Sequence, residues 1–206
     1  MQELNIKQLV LGMFRTNCYI VYNEKKEAII IDPGEGYRKV KDAILEMELQ
    51  PKAILLTHGH FDHMAAALDI KKEFKVNIYA YKEEAAVLAS PVYNLSQNYI
   101  EPIGLKADIE LNDEEVIDIA GYKIKVIHTP GHTIGSCCFL LVDYGVLFSG
   151  DTMFLETYGR YDFPTGSGRD ILSSIKNKLL TLSEEIVVLP GHNGSTTIGD
   201  EKKWYH

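Results

Sequence analysis

The segment Thr57-His58-Gly59-His60-Phe61-Asp62-His63 constrains this chain more than any other, because three imidazoles and a carboxylate fall within seven residues. They follow the apolar run Ala53-Ile54-Leu55-Leu56, which reads as a buried strand emerging into a loop. Imidazoles at i and i+2 of a near-extended segment project from one side and can close on one ion. Asp62 and His63 then face a neighbouring position as the chain turns into a helix. Without an ion, such a cluster suffers repulsion when protonated and loses solvation when buried. A bound dication removes both problems.

Five of the seven histidines, His58, His60, His63, His132 and His192, are expected at glycine-containing strand-to-loop junctions; His128 and His206 are the exceptions. Thr129-Pro130-Gly131-His132-Thr133 follows an apolar strand ending at Ile127, Ser149-Gly150-Asp151-Thr152 one ending at Phe148, and Pro190-Gly191-His192-Asn193-Gly194 one ending at Leu189. If these strands end on the same side, four loops assemble one site on a rigid edge. Imidazole and carboxylate donors without thiolate suit Zn²⁺, Fe²⁺ or Mn²⁺, and Asp151 could bridge two ions about 3.5–4 Å apart. A water shared by two dications loses a proton near neutral pH, which points to hydrolysis without a Ser or Cys nucleophile.

The surrounding pattern supplies the scaffold. Strands are expected at Leu4 to Leu11, Cys18 to Tyr22, Ala28 to Ile31, Ala53 to Leu56 and Val76 to Ala80, with helices at Tyr37 to Leu49, Met64 to Phe74 and Glu83 to Leu88. Ser90 to Lys106 is a long irregular stretch and a candidate lid or substrate wall, its Tyr93 to Tyr99 part lying over the metals. Strands resume at Glu115 to Ile119, Tyr122 to Ile127, Ser136 to Asp143 and Val146 to Ser149, followed by a helix at Arg169 to Leu182 and a last strand at Ile186 to Leu189. Two successive β-then-α blocks predict an α/β fold of αββα type, two mixed sheets face to face with helices outside. A single domain over residues 1–206 is expected.

Composition excludes some partners. The net charge of −8 and the lack of a Lys/Arg cluster argue against nucleic acid and anionic membrane surfaces. No apolar run reaches bilayer-spanning length and the opening Met1-Gln2-Glu3-Leu4-Asn5 lacks a leader pattern, so the cytoplasm is the expected setting. Cys18, Cys137 and Cys138 form no disulfide framework and read as small buried residues.

The set His58-x-His60-x-Asp62-His63, Pro130-Gly131-His132-Thr133-x-Gly135-Ser136, Ser149-Gly150-Asp151-Thr152-x-Phe154 and Pro190-Gly191-His192 resembles the metallo-β-lactamase superfamily, and its flanking phrases look most like the glyoxalase II (hydroxyacylglutathione hydrolase) branch. Asp32-Pro33-Gly34 and Gly159-Arg160-x-Asp162 to Gly166 resemble that branch as well. The resemblance implies that His58, His60 and His132 hold one metal, that Asp62, His63 and His192 hold the second, and that Asp151 bridges them. It implies two divalent metals, zinc first with iron or manganese as alternatives, and a small-molecule thioester substrate such as an S-(2-hydroxyacyl)glutathione. Asp62 and Asp151 are the residues expected to serve catalysis, and Arg160 is a candidate contact for a substrate carboxylate.

Longer glyoxalase II enzymes carry a C-terminal helical segment that contacts glutathione; this sequence ends about a dozen residues after His192, so those contacts are not expected. The persulfide dioxygenases of the same superfamily share the signature but bind one iron through the counterparts of His58, His132 and Asp151. They stand as an alternative, as does hydrolysis of a lactone or ester. Pro190-Gly191-His192 followed by Asn193-Gly194 looks like the short hydrolase branch and favours a second metal.

Overall fold

A computed structural model of the chain describes residues 2–205, so His206 lies outside the described residues. The first sheet contains β1 (Asn5–Leu11), β2 (Thr16–Tyr22), β3 (Glu27–Ile31), β4 (Gln50–Leu56), β5 (Asn77–Tyr81) and β6 (Ile109–Leu111), in that spatial order. Its first three strands are antiparallel, and β3 to β6 run parallel. Parallel neighbours need crossovers. These are α1 (Tyr37–Glu46) between β3 and β4, then α2 (Phe61–Met64) and α3 (Ala67–Phe74) between β4 and β5. The crossover from β5 to β6 carries α4 (Ala85–Ala89) and α5 (Ser96–Tyr99).

The second sheet has the order β12-β11-β10-β9-β8-β7. Here β7 (Val116–Ile119), β8 (Tyr122–His128), β9 (Cys137–Leu141) and β10 (Val146–Gly150) form an antiparallel meander. After α6 (Gly168–Ser174), β11 (Val187–Pro190) joins β10 in parallel, and β12 (Thr196–Thr197) closes the edge before α7 (Ile198–Glu201).

The alternation of side chains along a strand explains how these apolar runs fill three layers. Ile29, Ile31 and Leu55 of the first sheet meet Tyr122, Val126, Phe139 and Phe148 of the second between the sheets. Ile30, Ile54 and Leu56 point the other way, onto Val40 and Ile44 of α1 and Ala67 and Ile70 of α3. On the far side Ile127, Leu147 and Val188 pack against Ile171 of α6 and the turn that follows it. Each fully buried Ile, Leu or Val contributes roughly 1.5–3 kcal/mol of apolar burial. The αββα sandwich expected from the β-then-α blocks is the observed architecture.

Several boundaries differ from expectation. The helix expected at Met64 to Phe74 is two pieces, α2 and α3, because the Ala66 amide is turned onto the Pro33 and Gly34 carbonyls. The break lets α2 begin at Phe61 and carry Asp62 and His63. The helix expected at Arg169 to Leu182 starts at Gly168, capped by Ser167 Oγ, and passes into a wider π-type turn at Ile175–Leu179. The edge strands β6 and β12 were not expected; with three and two residues they are too short to show a period. All three cysteines are buried and unpaired, Cys18, Cys137 and Cys138 each in a different layer of the core. Burial pushes the Cys138 thiol up to about 11, away from reactivity.

Candidate metal centre

Strands β4, β8, β10 and β11 all end at one edge of the sandwich, and the loops leaving them carry the expected residues. His58, His60 and His132 place ligand atoms within 4.8 Å of one another, as do Asp62, His63 and His192. Asp151 lies between the two groups: Oδ2 is 3.5 Å from His132 Nε2 and 3.4 Å from His192 Nε2, and Oδ1 is 3.3 Å from His63 Nε2. The seven side chains singled out from the sequence therefore converge. His128 does not join them; it stacks on Tyr81 at 4.1 Å and bonds the Ile134 carbonyl.

Hydrogen bonds fix the orientation of the rings, leaving particular nitrogens free. His63 Nδ1 faces Asp32 Oδ2 at 2.9 Å, His132 Nδ1 the Arg160 carbonyl at 2.6 Å and His192 Nδ1 the Phe14 carbonyl at 3.2 Å. Donation from each Nδ1 leaves the Nε2 lone pair aimed into the cluster, the usual arrangement behind ligating histidines. His58 Nδ1 meets Thr57 Oγ1 at 3.2 Å, and Thr57 is itself held by Asp32. His60 Nδ1 points at His132 Nε2, 2.9 Å away. On the carboxylate side, Thr16 Oγ1 donates to Asp62 Oδ2 at 2.8 Å.

The cluster leaves buried polar atoms without partners. His58 Nε2, His60 Nε2 and Asp151 Oδ1 make no hydrogen bond among the described residues, although such atoms ordinarily find one. Burial, reinforced by His63 and His132, holds the His58 imidazole well below its ordinary range, and burial with the neighbouring His132 pushes His60 down to about 3. Burial also lowers His132. For His63 burial acts in the same direction, but the Asp151, Asp62 and Asp32 carboxylates overcome it and hold it well above the usual value. His192 rises to about 9 for the same reason, with Asp151 foremost. Burial opposes ionisation of Asp62 and Asp151, yet facing imidazoles win, taking Asp62 down to about 2 and holding Asp151 well below the usual carboxylate range. The neutral imidazoles of His58, His60 and His132, two of them with orphaned nitrogens, beside the ionised Asp62 and Asp151 form a donor set that fits divalent cations, which would take the place of the protons on His63 and His192.

Residues not singled out from the sequence complete the support. Glu84 is fully buried and accepts from the Gly59 amide at 2.6 Å, the Gly135 amide at 2.8 Å and the Thr133 hydroxyl at 2.9 Å. It thereby ties the His58–His60 loop to the His132 loop. Asn17 and Tyr19 of β2 bond the Pro190 carbonyl, joining the two sheets beside His192. A Cβ at Gly191 would collide with Asp151 Oδ1 and His63, so only glycine lets that turn approach.

A pocket of about 290 Å³ opens over the cluster, lined in part by His60, Asp62, His132, Asp151 and His192. The Ser90 to Lys106 stretch supplies Leu95 and Tyr99 to it. Buried Asn94 pins that stretch through the Ile103 carbonyl and the Ser96 amide, and its Leu95 and Tyr99 stand in the pocket wall. Arg160 lines the pocket and is also bidentately paired with Asp162 at 2.9 and 2.7 Å.

The family model for the metallo-beta-lactamase superfamily matches residues 11–192. The chain belongs to that superfamily. Among its superfamily relatives, the hydroxyacylglutathione hydrolase GloC of Haemophilus influenzae is 36% identical over 203 residues, covering 97% of this chain and 96% of that protein. The crystal structure of the BLEG-1 B3 metallo-beta-lactamase superposes with a TM-score of 0.92 at 39% identity, covering 97% of each chain. TTHA1623, solved in a di-iron-bound form, gives a TM-score of 0.85 at 30% identity, with 96% and 98% coverage.

Proposed function

We propose that this superfamily member is a dinuclear metal-dependent hydrolase of thioesters, with S-(2-hydroxyacyl)glutathiones as the class suggested by the GloC relative. The observation that carries the proposal is the two-sided cluster: His58, His60 and His132 on one side, Asp62, His63 and His192 on the other, and Asp151 within reach of both. These residues would hold two divalent ions, zinc in the first instance and iron next, the latter supported by the di-iron form of TTHA1623. Two bound ions would supply Lewis acidity to a carbonyl oxygen and lower the pKa of a bound water.

The chain's own groups do the rest. Asp151 keeps the two halves of the site at a fixed spacing, and Asp32, Thr57 and the Arg160 carbonyl lock the ring orientations. Asp62, held by Thr16 and facing the pocket, accepts a hydrogen bond that orients water toward the substrate. Water adds to the thioester carbonyl and the carbon–sulfur bond breaks. The two protons of the added water pass to solvent, leaving a carboxylate and a thiolate; the thiolate needs no general acid to depart and afterwards regains one proton from solvent at the pocket mouth. Arg160 sits where a substrate carboxylate would exchange with Asp162, since an exposed ion pair is worth only about 0–1 kcal/mol. A small-molecule partner, a cytoplasmic setting and a single domain over residues 1–206 are part of the same proposal; unpaired buried thiols and a core shared by both sheets support them. No helix among the described residues is long and apolar enough to cross a membrane.

Elemental analysis combined with two assays tests the reading. About two metals per chain with thioester cleavage is the expected result. One iron per chain with persulfide-dependent oxygen uptake and no thioester cleavage would assign the chain to the dioxygenase alternative.

A further inference from the structure

The floor of the pocket is the histidine–carboxylate cluster, but its walls are aromatic. Phe61 of α2 and Tyr99 of α5 stack at 5.3 Å with their planes 18° apart, and Phe14, in the turn between β1 and β2, meets both edge-on at 5.7 and 5.1 Å. Phe163 stands edge-on to His60 at 5.3 Å and to His132 at 6.1 Å, and Phe154 edge-on to His192 at 5.9 Å. All five rings line the same cavity, although they come from separate segments of the chain. Phe14 and Tyr99 remain 43% and 49% exposed. Large rings left wet at the mouth of a concave site mark apolar ligand contact, and about 290 Å³ lies at the small end of the range for ligand pockets.

Charge narrows the ligand further. Apart from the histidines, Arg160 is the one cationic residue among the described residues lining the pocket, and it is engaged by Asp162 while its guanidinium lies 4.3 Å over the Phe163 ring. The lining thus offers a single, already paired cation beside five rings. A flat apolar group gains contact with these rings, whereas a short or charged group leaves them exposed.

We infer that the pocket selects a substrate whose reacting carbonyl carries a flat, apolar, uncharged acyl arm, of aryl or arylalkyl type, seated among the rings of Phe14, Tyr99 and Phe163. The bond cleaved rests on the thioester-hydrolase reading above; recognition of the arm depends only on the cavity.

Binding of the corresponding carboxylic acids to the metal-containing protein, measured by calorimetry, tests the inference without turnover. Phenylacetate is expected to bind at least tenfold more tightly than acetate or lactate. The double variant Phe14→Ala, Tyr99→Ala is expected to narrow that ratio at least fivefold, and Tyr99→Phe to retain it. A wild-type ratio near one overturns the inference, and so does a ratio that survives the double variant. Should the double variant not fold, the wild-type ratio and the single Tyr99→Ala variant decide. Thioester assays keep the two claims apart. Preferential phenylacetate binding without cleavage of any thioester overturns the hydrolase reading and upholds this one. Acetyl and lactoyl thioesters cleaved as efficiently as phenylacetyl ones uphold the hydrolase reading and overturn this one.

Discussion

Asp151 touches both halves of the cluster while His128 touches neither, so the two residues should behave oppositely when truncated. Asp151→Ala is expected to strip metal and activity together, and His128→Ala to leave metal content near that of the wild type; elemental analysis of both variants checks this. Glu84 makes a different prediction. Removing its carboxylate leaves the buried Gly59 and Gly135 amides unsatisfied, at about 1–3 kcal/mol each, partly offset because a desolvated acid is removed as well. Glu84→Ala should therefore lower unfolding stability by roughly 2 kcal/mol in urea denaturation of the metal-free protein. Burial raises the Glu84 carboxyl from 4.5 to about 7. Between those values the folded protein keeps a proton that the unfolded chain has released. This group's contribution is thus full below about pH 4.5 and lost as pH rises through about 7. The stability of the wild type relative to Glu84→Gln should fall across that window; a flat or rising difference contradicts the assignment.

At the scale of elements, the pocket wall built from the Ser90 to Lys106 stretch hangs on one side chain. Asn94 donates to the Ile103 carbonyl at 2.8 Å and accepts from the Ser96 amide at 2.9 Å, while its own carbonyl accepts from the Phe61 amide at the start of α2. Asn94→Ala should cost about 1–3 kcal/mol and accelerate amide exchange over residues 95–103, with α1 protected as before. Exchange unchanged over that stretch would mean that Tyr99 is held by its rings alone. The break between α2 and α3 belongs to this scale too, since the Pro33 and Gly34 carbonyls that take the Ala66 amide come from the loop carrying Asp32. One loop thus both bends the helix that presents Asp62 and His63 and supplies the carboxylate that orients the His63 ring.

For the molecule as a whole, the cluster lies across the seam between the sheets. The residues from the loop after β4 belong to the first sheet, and His132, Asp151 and His192 follow strands of the second. Ions that bind only the folded state stabilise it by mass action, about 4 kcal/mol when free metal is a thousandfold above Kd. For a chain of this size that is roughly 10 °C in Tm. Chelation is expected to lower Tm by about that amount, and two equivalents of Zn²⁺ to restore it; a Tm indifferent to chelator would separate the cluster from stability.

The sequence by itself determined the layered α/β class and the identity of the clustered side chains, because strand period and histidines at glycine-rich strand ends are local signals. Asp32-Pro33-Gly34 carries part of the family resemblance, yet nothing local ties Asp32 to His63, thirty-one residues away. Glu84, beside Glu83, reads as half of a surface acidic pair; only the approach of the Gly59 and Gly135 loops buries it. The rings of Phe14, Tyr99 and Phe163 likewise carry no shared spacing. Their convergence was decided by tertiary structure alone, since it depends on which strand ends the two sheets bring to one edge.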